Sequence, residues 1–182
     1  MIALYRWHET DTQTRDRIMR RAQADIDAVC ALVKPIIEDV QDNGDEALRK
    51  YAKKFEGADV TNIKASAEEF DAAADALDEN LKDAIRHCVK NVKAFHVKQM
   101  ERVEDYWLEE IEDGVWAGEQ VNPLESVGLY VPRGKGAFPS ALYMLAIPAQ
   151  IAGVPNIAIV TPPTPDGGID AATLFTARLC GV

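Results

Sequence analysis

The sequence predicts an α/β protein: a helical N-terminal arm, a β-hairpin, then a βαβ unit that begins a parallel sheet. Three observations carry this. Apolar residues recur at helical spacing across residues 1–104. Asp113-Gly114 separates two β-prone runs. Residues 127–163, "VGLYVPRGKGAFPSALYMLAIPAQIAGVPNIAIVTPP", read as strand, glycine-rich turn, helix and strand. The division expected is 1–104, a helical N-terminal region, and 105–182, the hairpin plus a partial α/β unit, the whole forming one compact domain.

Taken in order, Ile26, Val29, Val33, Ile36, Ile37 and Val40 share helical spacing. Pro35 lacks an N–H and crowds the preceding turn, so a kink or break is expected there. Gly44 punctuates the run, and Asp45 can cap a following helix whose face is Leu48, Tyr51, Ala52 and Phe55 and whose stop is Gly57. "VTNIKAS" reads as short strand or loop. Ser66 and Glu69 have capping-box spacing ahead of Phe70, Ala73, Ala74 and Leu77. Asp78 is a cap candidate for the helix containing Leu81, Ile85, Val89 and Val92.

Asp113-Gly114 suits a hairpin turn, which needs positive φ. Leu124–Val131 should be a strand ending at Pro132, and Pro139–Ala152 a helix stopped by Gly153. Ile157–Thr161 is a short continuous apolar strand, of the kind buried on both faces in parallel sheets. The βαβ unit should cross over right-handedly. Asp170–Cys180 reads as a further helix. "ARLCGV" has the helix-then-glycine form that leads into another strand, and two or three strands are too few for a buried sheet. The sequence therefore reads as the front part of a larger α/β domain.

Composition narrows the function. An apolar fraction of 47% is ordinary for a globular chain of 182 residues, and the formal net charge of −10 argues against a nucleic-acid partner. No window is long and apolar enough for a transmembrane helix, and the N-terminus turns polar too early for a secretory signal, so no membrane partner is expected. Cys30, Cys88 and Cys180 are scattered without a CxxC, which implies reduced core thiols and a cytoplasmic location.

The turn after the first parallel strand lies at the sheet's carboxyl edge, where open α/β folds bind ligands. Gly134 and Gly136 permit close backbone approach, Lys135 adds a cation, and the next helix's N-terminus carries partial positive charge. The pattern is neither GxxxxGK[ST] nor GxGxxG, and Thr161 with two prolines stands where a ribose-binding acid would sit. A phosphate site and a turn that is Gly/Pro-rich for geometry alone both fit. Tyr130 could stack on a ligand ring or be a half-buried packing residue. His8, His87 and His96 lack metal-ligand spacing, and Ser140 has no evident base.

The ordered string Gly128-Leu129-Tyr130-Val131-Pro132, then Gly134, Phe138-Pro139-Ser140, Met144, Pro148-Ala149, Ala152-Gly153-Val154 and Val160-Thr161-Pro162-Pro163 strongly resembles the histidinol dehydrogenase family. "DVQDNGDEALRKYAKKFEG", "VKAFHVKQM" and "GVWAGEQVNPLESVGLYV" extend the likeness over nearly the whole chain. The resemblance implies an α/β fold with incomplete Rossmann-like domains, homodimers sharing sites, and zinc-dependent oxidation of L-histidinol to L-histidine by NAD. It implies Tyr130 as an NAD contact. Pro132, Gly134 and Lys135 join it as cofactor-binding candidates from the helix-terminus argument.

Two departures stand out. Arg133 occupies a position where the family usually has glycine, which adds bulk and fixed charge beside the turn and points toward a divergent paralogue acting on another amino or vicinal alcohol. The family's zinc ligands and catalytic pair have no matching position, so no catalytic or metal-ligating residue is assigned and the chain alone is expected to be inactive. A stand-alone NAD-binding or assembly module is the alternative. Uncovered sheet and helix faces imply a homo-oligomer, with a complementing C-terminal polypeptide as another candidate partner.

Overall fold

The computed structural model describes residues 4–20, 23–134 and 136–182. Contacts group the chain into residues 1–50 and 51–182. This differs from a division at 104/105. The helices between 67 and 100 pack against those of the α/β part, α3 on α6 and α4 on α5, and so belong with it.

The first unit holds a single 3₁₀ turn, Trp7–Glu9, then α1 (Thr12–Arg20) and most of α2 (Gln23–Tyr51). α2 runs through Pro35 in helical dihedrals, so the break expected there does not form, whereas the one expected at Gly44 does, with φ 52° and ψ −130°. Proline forfeits one hydrogen bond, which neighbouring turns can offset, whereas glycine alone adopts that left-handed geometry freely. Val29, Leu32, Val33 and Ile37 of α2 are 40–73% exposed, and Cys30 beside them is exposed too, so it is no core thiol.

The second unit opens with a π-helical turn, Ala52–Glu56, closed by Gly57 at φ 70°. Segment 61–65 is irregular rather than strand. α3 (Ala67–Ala76) starts on the Ser66/Glu69 capping box: the Glu69 N–H donates to Ser66 Oγ at 3.3 Å and the Ser66 N–H to Glu69 Oε2 at 2.7 Å. α4 (Glu79–Met100) starts on Asp78, whose carboxylate accepts from the Asn80 N–H at 2.9 Å. Lys82 of α4 is nearly buried; its Nζ donates to the Ala74 carbonyl at 2.9 Å, meeting an orphan acceptor at the end of α3.

β1 (Tyr106–Glu112) and β2 (Val115–Gln120) form the antiparallel hairpin around Asp113-Gly114, with Gly114 at φ 77° and a bulge between Glu110 and Glu112. β3 (Ser126–Tyr130) and β4 (Asn156–Val160) pair in parallel, joined through α5 (Pro139–Ile151). α6 (Ala171–Cys180) is capped by Asp170, which accepts from the Ala172 and Thr173 N–H groups. Gly153 and Gly181 close α5 and α6 in Schellman motifs: the Val154 N–H reaches the Ala149 carbonyl and the Val182 N–H the Ala177 carbonyl, each at 3.1 Å.

The core lies where α5 meets the sheet and α6. Val131, Leu142, Ala146, Ile147, Ala177 and Cys180 are buried there, with Leu129 and Ile159 of the strands packed on them. Ile85, Ala172 and Phe175 form a second cluster between α4 and α6.

Candidate functional site

The site is built at the carboxyl edge of the parallel pair. Tyr130 and Val160 are the last paired residues, and the Val131 N–H extends the ladder to the Val160 carbonyl at 2.8 Å. Strand alternation sends Val127, Leu129, Ile157 and Ile159 toward the core. Gly128, Tyr130, Ala158 and Val160 face the other way and are exposed, Tyr130 by 60%. The expectation that 157–161 is buried on both faces is thereby corrected: among the described residues, helices cover one face of this sheet, so each strand has an inner and an outer side. Tyr130 is accordingly an exposed ring, not a half-buried packing residue.

Pro132 and Gly134 follow Tyr130 directly and are exposed beside it, so three of the four cofactor candidates meet at one edge. Lys135 lies outside the described residues. Neither Gly134 nor Gly136 has positive φ, so the turn does not need glycine for its conformation. A Cβ on Gly136 would meet nothing within 4 Å, and one on Gly134 only the Phe138 ring edge at 3.7 Å. These glycines leave room above the turn. α5 then begins with Pro139 at its first position and no side-chain cap on Phe138.

A second turn, between β4 and α6, comes to the same edge because β4 ends in register with β3. It is tightly built. The Gly167 N–H donates to the Thr164 carbonyl and the Thr164 N–H to the Gly168 carbonyl, both at 2.8 Å, and the Thr164 hydroxyl donates to Asp166. Asp166 is held below the usual carboxylate range by that hydroxyl first and by backbone N–H groups next. Slight burial opposes this, and the Arg133 guanidinium adds the smallest push. The sequence reading passed over Thr164 and Asp166; a strand-pairing argument would have found them, since parallel neighbours deliver their following loops to one edge.

Each histidine has a partner close by in sequence. His87 hydrogen-bonds Asn91 at 3.0 Å and His96 bonds Gln99 at 2.9 Å, both on the outside of α4. His8 sits 3.4 Å from Glu9 in the first unit. Among the described residues no three His, Cys, Asp or Glu side chains gather as a metal site. No described helix is long and apolar enough to cross a membrane.

The histidinol dehydrogenase family model matches residues 19–182. A histidinol dehydrogenase homolog of Rhizobium meliloti is 44% identical over the full chain, which covers 40% of that protein. Homolog 2 of Mesorhizobium japonicum is 47% identical over 94% of the chain and 39% of its own length, and the histidinol dehydrogenase of Synechocystis is 42% identical over 93% and 39%. The crystal structure of histidinol dehydrogenase from Elizabethkingia anophelis superposes with a TM-score of 0.76 at 36% identity, covering 84% of this chain and 34% of that one. The chain thus spans about 40% of the length of the relatives it matches, their N-terminal portion. From strand order and turn chemistry to the match over residues 19–182, the observations agree: this chain belongs to the histidinol dehydrogenase family.

Proposed function

We propose that this chain supplies the NAD-facing ledge of a histidinol dehydrogenase-type oxidoreductase. The observation that carries it is the 60%-exposed Tyr130 ring at the carboxyl end of β3, on a bare sheet face and beside Pro132 and Gly134. An exposed aromatic at a sheet's carboxyl edge is suited to a flat ring, and the glycine turn leaves space for phosphate. The residues present therefore fit the dinucleotide. NAD supplies the hydride acceptor; the chain's part is to bind and orient it through Tyr130, Pro132, Gly134 and Lys135 and to shelter one side from water. Zinc does not fit the described residues, which offer no clustered donor set, so its ligands and the proton-handling pair are assigned elsewhere in the active assembly. The exposed apolar strip on α2 supports self-association in the cytoplasm.

A second reading concerns the substrate. Arg133 stands where glycine is usual, and the most similar relatives described above are named homologs rather than histidinol dehydrogenases. Both favour a paralogue that oxidises another amino or vicinal alcohol.

Isothermal titration with NAD tests the ledge. Heat saturating in the millimolar range, lost in Tyr130→Ala, is expected; no heat at millimolar NAD sinks the proposal. The 182-residue chain with NAD, zinc and histidinol should make no NADH, and turnover would show that the chemistry had been assigned to the wrong place.

A further inference from the structure

Acidic residues outnumber Lys and Arg by 30 to 20, so counter-charges for a cation are plentiful. Among the described residues three arginines are half-buried, Arg15, Arg49 and Arg133. Arg49 pairs with Glu46 at 2.7 Å, and the Arg15 guanidinium lies 5.2 Å from the centre of the Trp7 ring. Arg133 has neither kind of partner. Its Nε is buried with no hydrogen-bond acceptor, and among the described residues it makes no ion pair. The carboxylate of the 164–168 turn, Asp166, accepts from the Thr164 hydroxyl instead. A partly desolvated guanidinium without an acceptor is a standing cost to the folded chain. An oxyanion removes that cost, because two of its oxygens meet Nε–H and one terminal N–H side by side.

We propose that Arg133 binds the pyrophosphate of the dinucleotide, through its Nε–H and one terminal N–H. Placement identifies the anion. Arg133 stands three residues after the 60%-exposed Tyr130 ring and between Pro132 and Gly134, both exposed at the same edge. Three residues span at most about 10 Å, which covers the ribose between a dinucleotide's flat ring and its pyrophosphate. A Cβ on Gly136 would meet nothing within 4 Å, so the turn leaves room for the phosphates. α5 begins at Pro139 with no acidic residue in its first turn, so its positive end adds to the same field. Where the family usually has glycine, this chain thus gains a charge-assisted contact to its cofactor. The identity of the anion rests on the ledge reading proposed above; the unpartnered guanidinium does not.

The test titrates the 182-residue chain with NAD, NADP and inorganic pyrophosphate. It compares the parent with Arg133→Gln, Arg133→Lys and Tyr130→Ala, with unchanged near-UV circular dichroism as the folding control. By calorimetry, Arg133→Gln should weaken NAD about tenfold or more, the range of a hydrogen bond to a charged group. Arg133→Lys keeps the charge and loses the fork, so it should fall between Gln and the parent. NMR of the arginine Nε–H groups reads the contact directly. The Arg133 signal, assigned by its loss in Arg133→Gln, should move when inorganic pyrophosphate is added. It should still move in Tyr130→Ala, which loses NAD through the ring instead. An Arg133 signal unmoved by pyrophosphate would overturn the proposal. So would NAD affinity unchanged in Arg133→Gln, or a loss confined to NADP, which would move the contact to the 2′-phosphate. If NAD gives no heat in the parent, the ledge falls, while the Arg133 signal in pyrophosphate still decides the anion contact.

Discussion

Gly167 combines a positive φ with a backbone contact that leaves no room for a side chain. A Cβ built there lies 2.3 Å from the Asp59 carbonyl oxygen and 3.1 Å from its carbon, and the backbone sits at φ 86°. Gly167→Ala therefore meets two costs at once. The left-handed backbone costs about 1–2 kcal/mol for a residue with a Cβ. Displacing either the Asp59 segment or the turn costs about 1–3 kcal/mol more, as overpacking does elsewhere. Reduced freedom of the unfolded chain returns about 0.4–1 kcal/mol. The net loss centres on about 3 kcal/mol, which at a slope of about 2 kcal/mol per molar urea lowers the midpoint by about 1.5 M. Gly128→Ala is the matched control: its φ is not positive and a Cβ there meets nothing within 4 Å, so it should stay within about 0.5 kcal/mol of the parent. Urea melts followed by circular dichroism decide the matter. If Gly167→Ala denatures within about 0.3 M of the parent, or both variants shift alike, the close packing of residues 59 and 167 is not real.

Other outcomes follow from packing and charge. Leu142 is fully buried among α5, α6 and the sheet, so Leu142→Ala should cost about 3–4 kcal/mol in the same melts; a loss under about 1 kcal/mol would place it outside the core. Burial pushes the Cys180 thiol up to about 11, with Lys93 acting weakly the other way. Ellman's reagent at pH 8 should therefore label exposed Cys30 rapidly and leave Cys180 untouched in the folded chain. Because the unfolded thiol ionises first, its contribution to stability is present below its ordinary value of 9.0 and is lost as pH rises toward about 11. A stability that did not fall over that interval in Cys30→Ser/Cys88→Ser would contradict the buried placement. Light scattering should give a mass above the monomer, reduced by Val33→Asp in the exposed strip of α2; a concentrated monomer would count against self-association.

The candidate site was half legible. Tyr130, Pro132 and Gly134 were marked by a strand running into a glycine-rich turn, and they do come together, because a parallel strand must end at the edge where its crossover begins. Thr164 and Asp166 were not, since nothing in "PPTPDGG" says which edge it reaches until β4 is paired with β3. The reading of the glycines changed as well: Gly134 and Gly136 provide space, while Gly167 is both at positive φ and closely packed, opposite a residue 108 positions earlier.

What the sequence determined by itself was local. Ser66 with Glu69, Asp78 and Gly153 each bond within a few residues, so their chemistry names a helix start or stop wherever the chain happens to fold. Asp113-Gly114 does the same for the hairpin. Burial was decided by tertiary structure. Apolar periodicity marked α2 as one-sided yet left that side exposed, Pro35 was carried through the helix, and a strand that reads as doubly buried has an open face with Tyr130 and Val160 upon it. Hydrogen bonds at turns are short-range and written in adjacent residues, whereas which surface is covered depends on segments far apart in the chain.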